Sequence, residues 1–364
     1  MKKHYSVELV SASFNEHTGT GIIEYGVRLA KALEKEGGSF DYYRTSLIKG
    51  NVFGTPKHLY KETGTSNKIE NPDIIHYMDP GFVTIDATIK RWRLRNKNII
   101  VTIHDLDVFK NVNEGFKLAT KYTNPLAFLR RPLAAIVTPF AIIIRLAATK
   151  FIVKRAKKII CVSENTMNDV IKTFNLKKEM CVVIYPIIGN EFRPINVKKK
   201  SKKTIIGHLS SYLPNKNAGT LINAFKKTKS KNLELHLYGP VPPFKINDDK
   251  RIKYFGFIPT EKIVEALNSF DVFVFPSTWE GFGAPAMEAK KCKIPVITYS
   301  KGKLPDIIKR NTLQFDNEEH LIKIFENSEW KKVDINKAYL DVRKCDSSYV
   351  AKQVIRVYKK ALKI

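Results

Sequence analysis

The sequence predicts an α/β protein made of two Rossmann-like units in tandem. Three observations lead there. Short, nearly continuous apolar runs alternate with helix-length periodic segments almost throughout, as in parallel sheets covered on both faces. The 364 residues suffice for two separate cores. A polar, basic, aperiodic stretch, PINVKKKSKK at 194–203, divides the chain near its middle. The implied organisation is a first domain over 1–190, a linker at 191–203 and a second domain over 204–346. A last helix at 347–364 is free to cross back to the first domain.

In the first unit, strands are expected at 7–11, 74–77, 99–104, 158–162 and 182–185. In the second they are expected at 204–208, 233–238, 252–255, 272–276 and 295–298. Helices are expected at 24–36, 164–174, 218–227, 261–268 and 349–362. Open parallel sheets bind ligands outside the carboxyl ends of their strands. Functional residues are therefore sought there.

Composition narrows the class. Hydrophobic residues at 43% and charged residues at 27% are ordinary for a soluble globular chain. The net charge of +28 is not, and it points to an anionic partner or to a solvated lysine-rich surface. Cys161, Cys181, Cys292 and Cys345 lie far apart, without metal-ligand spacing. Reduced thiols in a cytoplasmic protein are the expectation. The N-terminal segment lacks the apolar length of a signal peptide.

One segment departs from the alternation. Residues 115–163 contain no acid but many bases, among them Arg130, Arg131 and Arg145, around the apolar run PLAAIVTPFAIIIRLAATKFIV. The run is interrupted by Pro139 and Arg145, so its uninterrupted apolar part is shorter than the ~20 residues a spanning helix needs. It fits a segment lying on an anionic membrane face, or a buried helix with basic ends. The first reading is preferred, and Trp92 within IKRWRLRNK (89–97) points the same way.

The strongest chemical signal is FPSTWEGFGAPAMEAKK (275–291). A strand ends, Gly281 and Gly283 allow close approach of backbone to a ligand, and Pro285 suits the first turn of a helix. A helix N-terminus receives phosphates, and Glu280 and Glu288 can accept hydrogen bonds from ribose and sugar hydroxyls. This is nucleotide-sugar chemistry; a turn with a buried glutamate cap is the plainer alternative. Asp248 and Asp249 in NDDK read as a solvated turn rather than a metal site.

The stretch resembles the E-x7-E motif of retaining glycosyltransferases of family 4. Similar likenesses run through GTGIIEYGVRLAKAL (19–33), IIVTIHDL (99–106), KKIICVSENTMNDVIK (157–172) and IIGHLSSYLPNKNAGTLINAF (205–225). The resemblance implies the GT-B fold, with two Rossmann-like domains facing each other across a cleft. It implies a nucleoside-diphosphate sugar as donor and no metal cofactor. Carried over by position, Glu288 binds ribose hydroxyls, and Glu280 contacts the donor sugar or stabilises the site around it. Gly281, Phe282, Gly283 and Ala284 present backbone near sugar and diphosphate, and Lys216 neutralises the leaving diphosphate. Gly21 brings the N-terminal loop to the β-phosphate, and His104 faces the donor sugar; a purely structural His104 is the alternative. Departures are His208 where the family has arginine after Gly207, Thr20 in a usual Gly-Gly, Lys293 in place of glycine, and Asp306 in place of glutamate. His208 is expected to bind the donor diphosphate, more weakly than arginine, unless the phosphate sets its charge or a nearby lysine substitutes.

Two classes compete. One is a glycosyltransferase with a glycan acceptor, lipid-linked at the inner membrane face or else soluble, in a protein peripheral to the cytoplasmic membrane. The other is a nucleic-acid binder, which fits the charge but lacks an aromatic-and-basic recognition motif, so no specific nucleic acid is expected. A non-catalytic GT-B subunit is a third reading, opposed by the glutamate pair, His104 and Lys216.

Overall fold

The computed structural model describes residues 5–11, 21–36, 40–46, 61–64, 72–78, 98–106, 147, 149–197, 202–242, 246 and 248–364. These form two compact units, one of residues 1–184 and 351–364, the other of residues 185–350.

In the first unit the described strands are β1 (Tyr5–Ser11), β2 (Phe40–Ser46), β3 (Lys61–Gly64), β4 (Ile74–Tyr77), β5 (Asn98–Ile103), β6 (Lys158–Cys161) and β7 (Cys181–Val183). They make one sheet in the order β3-β2-β1-β4-β5-β6-β7. All pairings are parallel except β2 with β3. Helix α1 (Gly21–Lys35) follows β1, and Val27, Leu29, Ala30 and Leu33 bury its apolar face. Helix α2 (Glu164–Phe174) begins where the Ser163 hydroxyl accepts from the Thr166 amide, and it stops at left-handed Asn175. Such caps satisfy the orphan groups that every helix end leaves.

The second unit repeats the plan with β8 (Thr204–Leu209), β9 (Leu233–Tyr238), β10 (Ile252–Tyr254), β11 (Val272–Phe275), β12 (Val296–Tyr299) and β13 (Leu313–Phe315). Their order is β10-β9-β8-β11-β12-β13, with every pairing parallel. In both sheets the chain winds outward one way from the first strand, then returns to wind the other way. The crevices created by that reversal lie at β1/β4 and at β8/β11.

Helices α3 (Ala218–Lys227) and α4 (Thr260–Ser269) stand at the expected places. Expected strand limits differ from the observed ones by a residue or two, because fraying ends depend on pairing partners. The strands β2, β3 and β13 are not foreseen. FDYYRTS and KETG are too polar to register as apolar runs, and LQF is too short. The NDDK turn is solvated at Asp248 but not at Asp249, which is partly enclosed. Asp248 is ion-paired to Lys226, while Asp249 holds Arg251 with Nη2 at 2.7 Å from Oδ2. Arg251 then donates to the carbonyls of Phe225, Thr228 and Ser230 at the end of α3.

The last helix, α9 (Ser347–Leu362), follows α5 (Ala284–Lys291), α6 (Asp306–Lys309), α7 (Glu318–Asn327) and α8 (Ile335–Asp341). Its residues from Ala351 onward belong to the first unit. There, Tyr358 is fully buried and bonded to His76. The four cysteines form no disulfide. No helix among the described residues is long and apolar enough to cross a membrane.

Candidate active site

At the reversal point of the second sheet, the loop after β8 and the loop after β11 are stitched together. The Thr278 amide donates to the Asn215 carbonyl at 2.8 Å. Asn215 Nδ2 donates to the Trp279 carbonyl at 3.1 Å, and Asn217 Nδ2 to that of Pro276 at 3.2 Å. From this platform Lys216 reaches Glu280, with Nζ 2.7 Å from Oε1 and 2.9 Å from Oε2. Glu280 is buried, so its charge needs this partner. An ammonium has three protons, so Lys216 keeps one donor beyond the carboxylate. Glu280 thus acts first on Lys216, a role that position in the motif alone does not reveal.

Past Glu280 the chain turns into α5. Gly283 is the N-cap at φ +97°, a left-handed value, and a Cβ there would stand 3.2 Å from the Phe275 ring. Both constraints demand glycine. The first intrahelical bond runs from the Ala286 amide to the Gly283 carbonyl, so the amides of Gly283 and Ala284 precede the ladder and face the helix mouth. The Phe282 ring is buried and packs 6.0 Å from the Tyr185 ring. That leaves backbone, not side chain, as what Phe282 offers a ligand. Gly281 and Ala284 are half-buried, and Glu288 is buried on the second turn of α5.

Two neighbours of Glu288 fix its helix. Lys290 has no exposed surface and donates to the carbonyls of Ile307 (2.8 Å) and Arg310 (2.6 Å), with Asp341 at 3.4 Å. Burial pulls its pKa down to about 8 against the pull of Asp341. Lys291 donates to the Ile188 carbonyl at 2.8 Å. These contacts of both lysines are with residues distant in sequence, and they clamp α5.

His208 sits inside β8 with 1% exposure. Its Nδ1 donates to the Val274 carbonyl at 2.9 Å, so in the neutral ring Nε2 accepts from the Ser210 hydroxyl at 2.9 Å. Burial holds its pKa down at about 4, with Lys216 adding to the effect. The ring is neutral and spent on the protein, so in this arrangement Lys216 is the cation the loop offers. Gly207 lies against the Phe270 ring, where a Cβ would collide. Lys293 takes the left-handed φ of +59° that a glycine would fill more cheaply, and its ammonium lies 5.3 Å from the Tyr339 ring. Asp306 opens α6 and is exposed.

In the first unit, His104 follows β5 at its carboxyl end and is half-buried. Its Nε2 donates to the Met78 carbonyl at 3.0 Å, and its ring meets Tyr25 of α1 edge-on at 4.7 Å. Gly21 is the first residue of α1. Residue 20 and the membrane-facing candidates Trp92, Arg130, Arg131 and Arg145 lie outside the described residues. Among those described, no group of three or more His, Cys, Asp or Glu side chains could hold a metal ion.

Two parallel α/β units wound in this order, with the second carrying a helix N-terminus and paired acid and base at its reversal point, define the GT-B class. Solved structures agree on the fold. The Anabaena protein HepE, determined with UDP and glucose, superposes with a TM-score of 0.64 at 15% identity, covering 98% of this chain and all of that one. Two family descriptions match: "Glycosyltransferase Family 4" over residues 42–191 and "Glycosyl transferases group 1" over residues 190–329. The chain belongs to glycosyltransferase family 4. Among curated relatives, an O-antigen chain mannosyltransferase (RfbU) of Salmonella typhimurium is 22% identical over 312 residues, 79% of this chain and 81% of that protein. The GPI3 subunit of a Saccharomyces cerevisiae phosphatidylinositol N-acetylglucosaminyltransferase is 24% identical over 175 residues, 43% of this chain and 39% of that one. The chain spans 30 to 39% of the length of the first curated relatives it matches.

Proposed function

We propose that the protein is a retaining, metal-independent glycosyltransferase. It moves a sugar from a nucleoside-diphosphate sugar to a glycan acceptor that is lipid-linked and held at the cytoplasmic face of the membrane. The observation that carries this reading is the Lys216–Glu280 pair beside the Gly283 helix start. It supplies one cation and a set of backbone amides where a diphosphate would gain charge.

In a front-face transfer, the glycosidic C–O bond to the diphosphate breaks as the acceptor oxygen bonds to the same face of the anomeric carbon. The acceptor proton passes to the departing phosphate oxygen. No protein nucleophile is required. Electrostatic stabilisation of the leaving group carries most of the acceleration, here from Lys216 and the amides of Gly283 and Ala284. Glu288 accepts hydrogen bonds from the ribose, and Glu280 keeps Lys216 in place. His104 contacts the donor sugar from the first unit.

The acceptor part rests on two supports: the basic, apolar segment at 115–163 and relatives whose names include an O-antigen chain and a phosphatidylinositol. The test uses the full chain with UDP-, GDP-, ADP- and TDP-hexoses, EDTA and a bacterial lipid extract. Release of nucleoside diphosphate together with a lipid-borne product of retained anomeric configuration by NMR is expected. A product of inverted configuration, or strict dependence on added divalent metal, contradicts the mechanism. Failure to float with anionic vesicles contradicts the membrane part alone and favours a soluble acceptor.

A further inference from the structure

Beneath His104 runs a chain of buried polar groups that the proposed chemistry leaves unused. Tyr358 of α9 places its hydroxyl 2.8 Å from His76 Nδ1. His76 Nε2 lies 2.8 Å from the Thr102 hydroxyl, and Thr102 lies 3.2 Å from the Tyr25 hydroxyl. The Tyr25 ring then carries the edge-on contact with His104. His76, Thr102 and Tyr358 have no exposed surface, and Tyr25 has 4%.

Burying four polar groups under a sheet is costly unless each is paired, and paired they fix one another's orientation. His76 has both nitrogens engaged, so its ring cannot flip without breaking two bonds. Thr102 lies on β5, two residues before His104, which follows the end of that strand. His76 stands in the same relation to Met78, whose carbonyl receives the His104 Nε2 proton. Two contacts of His104, with the Met78 carbonyl and with the Tyr25 ring, therefore start from segments that this chain organises.

We infer that Tyr25, Thr102, His76 and Tyr358 are positioning residues for His104, holding its imidazole at the angle the transfer reaction uses. The inference rests on the proposed catalytic role of His104 and extends it to four residues, one of them on the C-terminal helix. Burial keeps His76 neutral, with a pKa held down at about 3. It thus places no positive charge beside His104 at working pH.

The test uses Tyr25→Phe, Thr102→Val and Tyr358→Phe, each of which keeps the side-chain shape and removes a hydroxyl. In full-length chain labelled with 15N-histidine, the His104 ring signals are assigned by their loss in His104→Gln. All three variants are expected to shift those signals. With whichever UDP-, GDP-, ADP- or TDP-hexose the wild type turns over, each should lower kcat about tenfold or more at unchanged donor KM, as small misplacements of a reacting group do. In the His104→Gln background the same substitutions should cost nothing further, since residues acting through one group are not additive. Unmoved His104 signals overturn the inference, and so does a loss of melting temperature with kcat per folded molecule intact. So does a kcat loss that multiplies with His104→Gln. Wild-type turnover in His104→Gln itself overturns instead the catalytic reading of His104 on which the inference stands.

Discussion

The two units place polar residues at the same topological position by opposite physical means. Near the carboxyl ends of β4 and β5 the first unit uses neutral groups: the His76 imidazole and hydroxyls that pair with it in series, with little exposure. At the corresponding ends of β8 and β11 the second unit uses full charges, with Lys216 on Glu280 and two buried lysines behind the helix of Glu288. The imidazole on β8, His208, is neutral and turned inward. A charged site is suited to hold a diphosphate. A neutral, rigid one is suited to orient a ring. The difference implies that substitutions in the second unit act on donor binding and leaving-group departure, and those in the first on turnover alone.

The largest effect should come from the pair that concentrates the charge. Lys216→Ala removes the cation from the leaving group and leaves Glu280 buried without it. Turnover should fall about 10²–10³-fold, the usual loss when a preorganised electrostatic group is deleted. Release of nucleoside diphosphate under saturating donor measures it, and a loss below threefold would break the assignment of charge to this unit.

Next is His104→Ala, expected to lower kcat roughly 10²-fold, at the low end for a positioned side chain, with donor affinity by calorimetry unchanged. A weakened donor affinity would erase the contrast between the units. Glu288→Ala should give the reverse pattern. Donor binding weakens by about 1.5–3 kcal/mol through loss of charge-assisted hydrogen bonds, with kcat changed less. Unaltered affinity would remove Glu288 from the donor site.

The last comparison concerns pH, and here the two units behave alike. His208 and His76 have folded pKa values near 4 and 3, held down by burial. The unfolded chain binds a proton on each near pH 6.5, so it takes up more protons than the fold between there and about 4. Stability is therefore complete above pH 6.5 and falls as the pH drops, by ~1.4 kcal/mol per pH unit per histidine. Urea unfolding across that window reads the slope, and His208→Gln should flatten the part that belongs to the second unit. A slope unchanged by that substitution would mean that His208 titrates normally.

Much of this architecture is legible in the sequence, for definite reasons. Strands such as VFVF and NIIVTI are apolar because both faces are covered, and Gly283-Ala-Pro announces a helix start by backbone chemistry alone. What stays hidden depends on contacts distant in sequence. Lys290 looks like any exposed lysine until Ile307 and Arg310 present their carbonyls. His76 lies 282 residues from Tyr358, and no local pattern joins them. His208 looks like a weak substitute for arginine; only burial and the Val274 carbonyl reveal a neutral ring committed to the fold.

The most direct test of the central claim is thermal unfolding of the full chain against UDP-, GDP-, ADP- and TDP-sugars without metal, in parallel with Glu288→Ala. A ligand that binds the folded state raises the melting temperature by mass action. The expected result is a clear rise with the sugars of one nucleotide and its loss in Glu288→Ala. No rise with any of them, or an equal rise in the variant, would contradict a nucleotide-sugar site at the Gly283 helix start.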